Sequence, residues 1–161
     1  SEELNLLMDY YTIMKYRYGG AITIDIAVDD EELLSCGILR FTLQPIVENA
    51  IFHGIEPKGT AGTIIIHISR NTDGELQIDI TDDGIGMDEE MTESLLSEKS
   101  ASKSSFFSKI GISNVHNRIR LEFGAKYGLS IKSVKGSFTT VTILLPCKPC
   151  PAEPETDNQT E

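Results

Sequence analysis

The residues best suited to chemistry fall in three short segments. The first, Leu43 to Gly54, reads as a helix. On a helical wheel Leu43, Ile46, Val47, Ala50 and Ile51 form one apolar stripe, while Gln44, Glu48, Asn49, Phe52 and His53 lie outside it. Glu48 beside Asn49 sets a carboxylate next to an amide, the hard oxygen donors that magnesium accepts alongside waters and phosphate oxygens. An exposed polar helix face is the other reading of the same residues. The second segment, Asp82-Asp83-Gly84-Ile85-Gly86-Met87, follows a strand: Asp82 ends it with an acceptor, and the glycines let backbone turn closely against a ligand. A plain turn is the alternative, and the spacing of a calcium-binding EF-hand loop is absent. In the third, Lys109-Ile110-Gly111-Ile112, a glycine is expected to open a helix whose free N–H groups and dipole favour an anion.

The elements that must position these groups follow from periodicity. Residues 4–18 carry Leu4, Leu7, Met8, Tyr11, Met14 and Tyr18 at helical spacing and stop at Gly19-Gly20. Residues 21–28 alternate as a half-buried strand, and a helix is expected over 39–53. Strands at 63–69 and 75–81 turn at Asn71-Thr72-Asp73-Gly74, and strands at 129–134 and 138–145 turn at Lys135-Gly136-Ser137. Between the hairpins, a short acidic helix over 88–96 precedes a stretch, 97–109, with six serines and three lysines, expected to be a mobile loop. A helix from Gly111 to Gly124 then shares one apolar face among Ile112, Val115, Ile119 and Phe123. The expected fold class is α+β, a two-layer α/β sandwich with helices on one face of a mixed sheet.

Composition bounds the rest. At 161 residues, 40% hydrophobic and 24% charged, the chain is one domain with one substantial core. Its net charge of -11 argues against binding nucleic acid or anionic lipid. No apolar run approaches the roughly 20 residues of a membrane span. The start, Ser1-Glu2-Glu3, has no initiator Met or targeting segment and is expected to continue from something larger upstream. Cys36, Cys147 and Cys150 cannot all pair within the chain and are expected to be cytosolic thiols.

In this order, flanking a Ser/Lys-rich loop, the three segments resemble the GHKL ATPases, the Bergerat-fold family of histidine kinases, DNA gyrase, a class of heat-shock chaperones and the MutL mismatch-repair proteins. Leu43 to Gly54 resembles the N box of the LytS/YesM type of bacterial sensor histidine kinase, Asp82 to Met87 the first glycine box, and Ile110 to Arg118 the second. Tyr10 to Gly19 resembles the end of that type's dimerisation segment. The resemblance implies that Asn49 ligates magnesium and that Asp82 accepts a hydrogen bond from the adenine amino group of ATP. It implies further that Gly84, Gly86 and Met87 admit the nucleotide, that His53 packs near adenine and ribose, and that Lys109, Gly111 and Ile112 bring a helix start to the phosphates. Glu48 is either a base or a group that orients the magnesium site.

Three departures stand out: Asp83 replaces an Asn, Phe52 a Lys or Arg that often reaches the phosphates, and Lys109 the first glycine of the second box. Lys99, Lys103 or Lys109 could supply the missing cation, and Phe106 and Phe107 could pin the loop that resembles the ATP lid. Where hydrolytic members place a glutamate base one turn before the Asn, this chain has Pro45. The resemblance implies a domain plan: 1–20 ends an upstream dimerisation helix, 21–146 binds ATP, and 147–161 is a disordered acidic tail. The function implied is the catalytic domain of a two-component sensor histidine kinase, transferring the γ-phosphoryl to a histidine outside this chain. The alternative is a catalytically weak nucleotide-binding interaction module of the same fold. Implied partners are the dimerisation and phosphoacceptor domain of the same parent and a response regulator. The parent would be a homodimer, with this part cytoplasmic and any membrane anchor elsewhere.

Overall fold

The computed structural model describes residues 2–96 and 106–148, with side chains of the last helix described from Gly111 onward. Helix α1, Glu2–Arg17, has Glu2 and Glu3 in its first turn and Lys15 and Arg17 in its last, matching the helix dipole. It ends where Gly19 and Gly20 take positive φ. Strand β1, Ile22–Val28, follows. Helix α2 spans Leu43–Asn49 and passes into a wider π-type turn, Ala50–Ile55. Strands β2, Gly62–Arg70, and β3, Leu76–Asp82, form the first hairpin. Its turn is held by Asn71, whose Oδ1 accepts the N–H groups of Asp73 and Glu75. Helix α3, Glu89–Leu96, and helix α4, Phe106–Phe123, precede the second hairpin, β4, Gly128–Val134, and β5, Phe138–Leu145.

The strands order as β1-β2-β3-β5-β4, with β1 and β2 parallel and every other pair antiparallel. The mixed sheet expected from the element order is therefore present. Alternation sets its faces: Ile24, Ile66, Ile80 and Val141 join Leu43, Ile46, Val47, Ile51, Ile112, Val115 and Ile119 in one core. The opposite positions, among them Asp25, Ile65, Asp79 and Thr142, stay outside that core. The apolar stripe read for 43–51 is buried throughout.

Three expectations change. The helix expected over 39–53 starts at Leu43, because Phe41 sits at φ 57, outside helical geometry. Gly111 does not open a helix: α4 begins five residues earlier at Phe106. Residues 106–110 contain neither Gly nor Pro to stop it, and one interior glycine costs only about 1 kcal/mol. The cysteines are not all free thiols, because Cys36 and Cys147 are joined with Cα atoms 5.2 Å apart. The chain past β5 therefore stays on the body, where the Gly37 N–H donates to the Lys148 carbonyl at 2.9 Å. Residues 97–105 and 149–161, where most of the expected loop and tail fall, lie outside the described residues.

His116 joins α4 to the second hairpin. Its Nδ1 accepts the Leu129 N–H at 3.0 Å, and Gly128, at φ +138, leaves room for the ring. Burial first, then Arg120, lowers its pKa below 6.5. A histidine with a depressed folded pKa contributes stability above its unfolded pKa, and that contribution is lost as pH falls through the folded value. The stability advantage of wild type over His116→Gln should therefore shrink as pH is lowered from about 7.5 to about 5, followed by urea unfolding at each pH.

Candidate functional site

The end of β3, the turn after α2 and the loop after β3 meet at a cleft of about 210 Å³. Asn49, His53, Gly54, Asp82, Gly86 and Met87 line it, with Pro57, Ile85, Met91, Leu95 and Thr139. At its base Asp82 is only 3% exposed. Its strand partners are Ile64 on β2 and Thr139 on β5, so the sheet fixes its place from both sides.

Bare backbone makes room for this carboxylate. A Cβ on Gly54 would collide with Asp82, and one on Gly84 would collide with the Gly54 carbonyl and with Asp82. The loop is then stitched down: the Gly84 N–H donates to Asp82 Oδ1 and the Ile85 N–H to the Gly54 carbonyl, both at 2.9 Å. Gly86 takes φ +61, with the Val134 backbone where a side chain would be. The Gly136 N–H donates to the Ile85 carbonyl at 2.6 Å and the Met87 N–H to Ser133 Oγ at 2.8 Å. The second hairpin thus props the glycine loop.

Desolvation raises the Asp82 pKa to about 6, the Gly84 N–H opposing and the Asp83 charge adding to the rise. At neutral pH it is an ionised acceptor in a cleft whose apolar wall is formed by Ile85, Met87, Met91 and Leu95. A flat apolar ring bearing an amino donor satisfies both features.

The departures at Asp83 and Phe52 have local partners. Asp83 Oδ1 accepts the Thr63 N–H at 2.9 Å, and Lys58 Nζ lies 3.3 Å from Oδ2 and donates to the Asp83 carbonyl. Phe52 is half-buried, with the Arg17 guanidinium of α1 5.7 Å from its ring centroid, and neither residue lines the cleft.

Other expected site residues fall elsewhere. Glu48 does not line the cleft; it accepts from Gln44 Nε2 at 2.9 Å. It also lies close enough to Tyr10 of α1 that, after burial itself, its charge helps push that phenol up to about 12. Ile112 is fully buried as core. Gly111 lies inside α4 facing Pro45, where a Cβ would make an ordinary 3.7 Å contact with the proline ring, so it is not a free helix start. Lys109 lies in the first turns of α4, and its side chain is outside the described residues. Thr139 was missed because only strand pairing brings it to Asp82. Met91 and Leu95 left a readable signal, two apolar residues four apart on an acidic helix.

The family described as histidine kinase-, DNA gyrase B-, and HSP90-like ATPase matches residues 37–149. Sensor histidine kinase YesM of Bacillus subtilis is 33% identical over 147 residues, 91% of this chain and 23% of that protein. Sensor protein LytS of Oceanobacillus iheyensis is 32% identical, covering 92% of this chain and 25% of that protein. The chain therefore spans about a quarter of the length of these relatives. A nucleotide-free catalytic domain of histidine kinase ThkA superposes with a TM-score of 0.65 at 19% identity, covering 91% of this chain and 96% of that one. The same kinase in complex with response regulator protein TrrA gives 0.60 at 19% identity, covering 90% of this chain and 40% of that one. With the fold of histidine kinase catalytic domains and a family match over most of its length, the chain belongs to the histidine kinase-, DNA gyrase B- and HSP90-like ATPase family.

Proposed function

We propose that this chain is the catalytic and ATP-binding domain of a sensor histidine kinase, passing the γ-phosphoryl of ATP to a histidine on another domain of its parent. The observation that carries the reading is the Asp82 carboxylate, buried beneath Gly54 and Gly84 at the base of an apolar cleft. Ionised Asp82 accepts from the adenine amino group, the glycine loop lets the ring approach backbone, and Met91 and Leu95 cover it. Asn49 is the one hard oxygen donor that α2 presents to the cleft, and it fits magnesium, which takes one or two protein ligands and completes its shell with water and phosphate. Magnesium would neutralise phosphate charge there. The protein's own contribution is positioning, the main currency of phosphoryl transfer. Glu48, turned toward α1, is read as orienting α2 rather than as a base.

The acceptor is assigned outside the chain because each histidine has a place that suits another role. His53 sits at the cleft, His67 Nε2 lies 2.7 Å from Asp29 Oδ1, and His116 holds Leu129. In the same reading α1 is the end of a dimerisation helix, residues 21–146 form the nucleotide-binding unit, the partner downstream is a response regulator, and the working location is the cytoplasm. No helix among the described residues is long and apolar enough to cross a membrane. A second reading, a nucleotide-binding module with little turnover, is favoured only by Phe52 standing where the resemblance expects a phosphate-reaching cation.

Calorimetric titration with ADP and ATP separates the assigned roles. Asp82→Asn should weaken ADP binding without magnesium by about 1–3 kcal/mol, whereas Asn49→Ala should remove mainly the magnesium-dependent gain with ATP. Equal loss of magnesium-free ADP binding in both variants contradicts the assignment. The same Asp82→Asn variant should be more stable than wild type when empty. A carboxyl whose folded pKa is raised stabilises the fold only below its unfolded pKa, and loses that contribution as pH rises toward about 6. The variant's margin should grow by about 3 kcal/mol between acid and neutral pH in urea unfolding; a constant margin refutes the raised pKa.

Incubated alone with γ-labelled ATP, the chain should bind without labelling itself and should hydrolyse slowly, since Pro45 has no proton acceptor in its side chain. Adding the parent's acceptor domain should move label to that polypeptide. Stable label on this chain means the acceptor is misplaced, and tight binding with label on neither favours the second reading.

A further inference from the structure

Helix α1 is seated on the body by few groups. Of its sixteen residues Glu3, Leu7 and Met14 are buried, and Glu3 is a carboxylate only 5% exposed. Its oxygens are fully engaged with backbone. Oε1 accepts the Phe41 N–H at 2.6 Å, and Oε2 accepts those of Thr42 at 3.0 Å and Leu43 at 3.2 Å.

These three N–H groups lead into the first turn of α2, which has no intrahelical partners for its leading donors. Thr42 occupies the N-cap but makes no side-chain cap; its hydroxyl donates back to the Leu39 carbonyl at 2.7 Å. The cap comes instead from a residue 38–40 positions earlier, on a separate helix. A carboxylate there also complements the helix dipole. Pro45, also in this turn, has no N–H to satisfy, so the leading donors that need a cap are the ones Glu3 takes. Phe41, 56% exposed, is held in the left-handed region that a phenylalanine rarely adopts, with its N–H on Glu3. Glu2 pairs with Arg40 on the same loop, and Arg118 of α4 donates to the Arg40 carbonyl at 2.7 Å.

A second observation bears on the same contact. Among the described residues, Tyr10 Oη is the one buried side-chain polar atom with no hydrogen-bond partner. Burying an unpaired hydroxyl is costly, so this seating of α1 does not satisfy every polar group, and another seating has something to gain.

We propose that Glu3 is a positioning residue coupling α1 to the nucleotide cleft. With α1 seated, the carboxylate orders the start of α2, and through that helix it orders Asn49, His53 and Gly54 at its other end. A rotation or slide of α1 that withdraws Glu3 uncaps α2 and loosens the cleft. The proposal rests on the nucleotide-binding reading above, and it makes the seating of α1 a control on that site. Coupling is reciprocal, so bound nucleotide tightens the hold of Glu3 on the 41–43 amides.

The test compares the 161-residue chain with Glu3→Gln and with Asp9→Asn, a change on an exposed position of the same helix. Amide exchange and magnesium–ATP affinity are measured at a temperature where circular dichroism shows all three folded. Glu3→Gln should speed exchange at Phe41, Thr42, Leu43 and along α2 to Ile55, leave β3 and β5 unchanged, and lower affinity about tenfold, within the roughly 5–150-fold span of site couplings. Asp9→Asn should change neither. In wild type, nucleotide should slow exchange at Phe41, Thr42 and Leu43. If Glu3→Gln does not fold, Glu3→Asp, which keeps the charge and loses one methylene, takes its place. Affinity within about twofold of wild type, or faster exchange spread equally through β3 and β5, overturns the coupling. A wild-type chain that does not bind magnesium–ATP overturns the nucleotide reading itself, a different result from a wild type that binds and a variant that binds equally well.

Discussion

Holding one carboxylate against bare backbone is the constraint around which the cleft is built. Asp82 must end β3, stay almost wholly out of water and still ionise near neutral pH. Only residues without a Cβ fit beside it, which accounts for Gly54 and Gly84, and the hydrogen bond from Ile85 to Gly54 locks the two together. The π-type turn after α2 serves the same end, presenting the Gly54 backbone to the loop. On the other side Gly136 and Ser133 of the second hairpin hold Ile85 and Met87. Elements far apart in sequence are therefore committed to one buried charge, at a cost in stability.

Around that centre, charges that look misplaced in the motifs are answered from neighbouring elements. Lys58 meets Asp83 just before β2, and Arg17 meets Phe52 from α1. The reach of α1 is wider still: Glu3 caps α2 at its start, Tyr10 lies near Glu48 along its length, and Tyr18 donates to Glu56 at 3.2 Å beyond its end. Such a helix is more than a lead-in to β1, because it touches α2 from its first turn to the turns that follow it.

Much of this was legible in the amino-acid order. The alternation of Ile22, Ile24, Ile26 and Val28 marked β1, the Asn-Thr-Asp-Gly turn marked β2 and β3, and the stripe from Leu43 to Ile51 marked the buried face of its helix. Asp82, Gly84, Gly86, Asn49 and His53 were named from motif alone and meet at one cleft or directly beneath it. What stayed hidden depends on contacts between distant segments. Gly111 reads as a helix start, and only the extension of α4 back to Phe106 places it inside the helix. The order β3-β5-β4 sets Thr139 beside Asp82, and no local pattern encodes that register. Three cysteines leave the pairing open until Cys36 and Cys147 are adjacent in space. Glu3, in an acid-rich helix start, has no sequence mark to separate a buried cap from a solvated carboxylate.

The central claim is that Asp82 recognises its ligand as a buried, ionised acceptor. Carboxyl-carbon NMR of the Asp82 resonance, assigned through Asp82→Asn and followed against pH with and without ADP, tests it most directly. The account predicts an apparent pKa near 6 in the empty chain that falls on ADP binding, since a ligand donating to the charged form stabilises that form. Titration at the ordinary aspartate value when empty, or a pKa that ADP leaves unmoved, would contradict it.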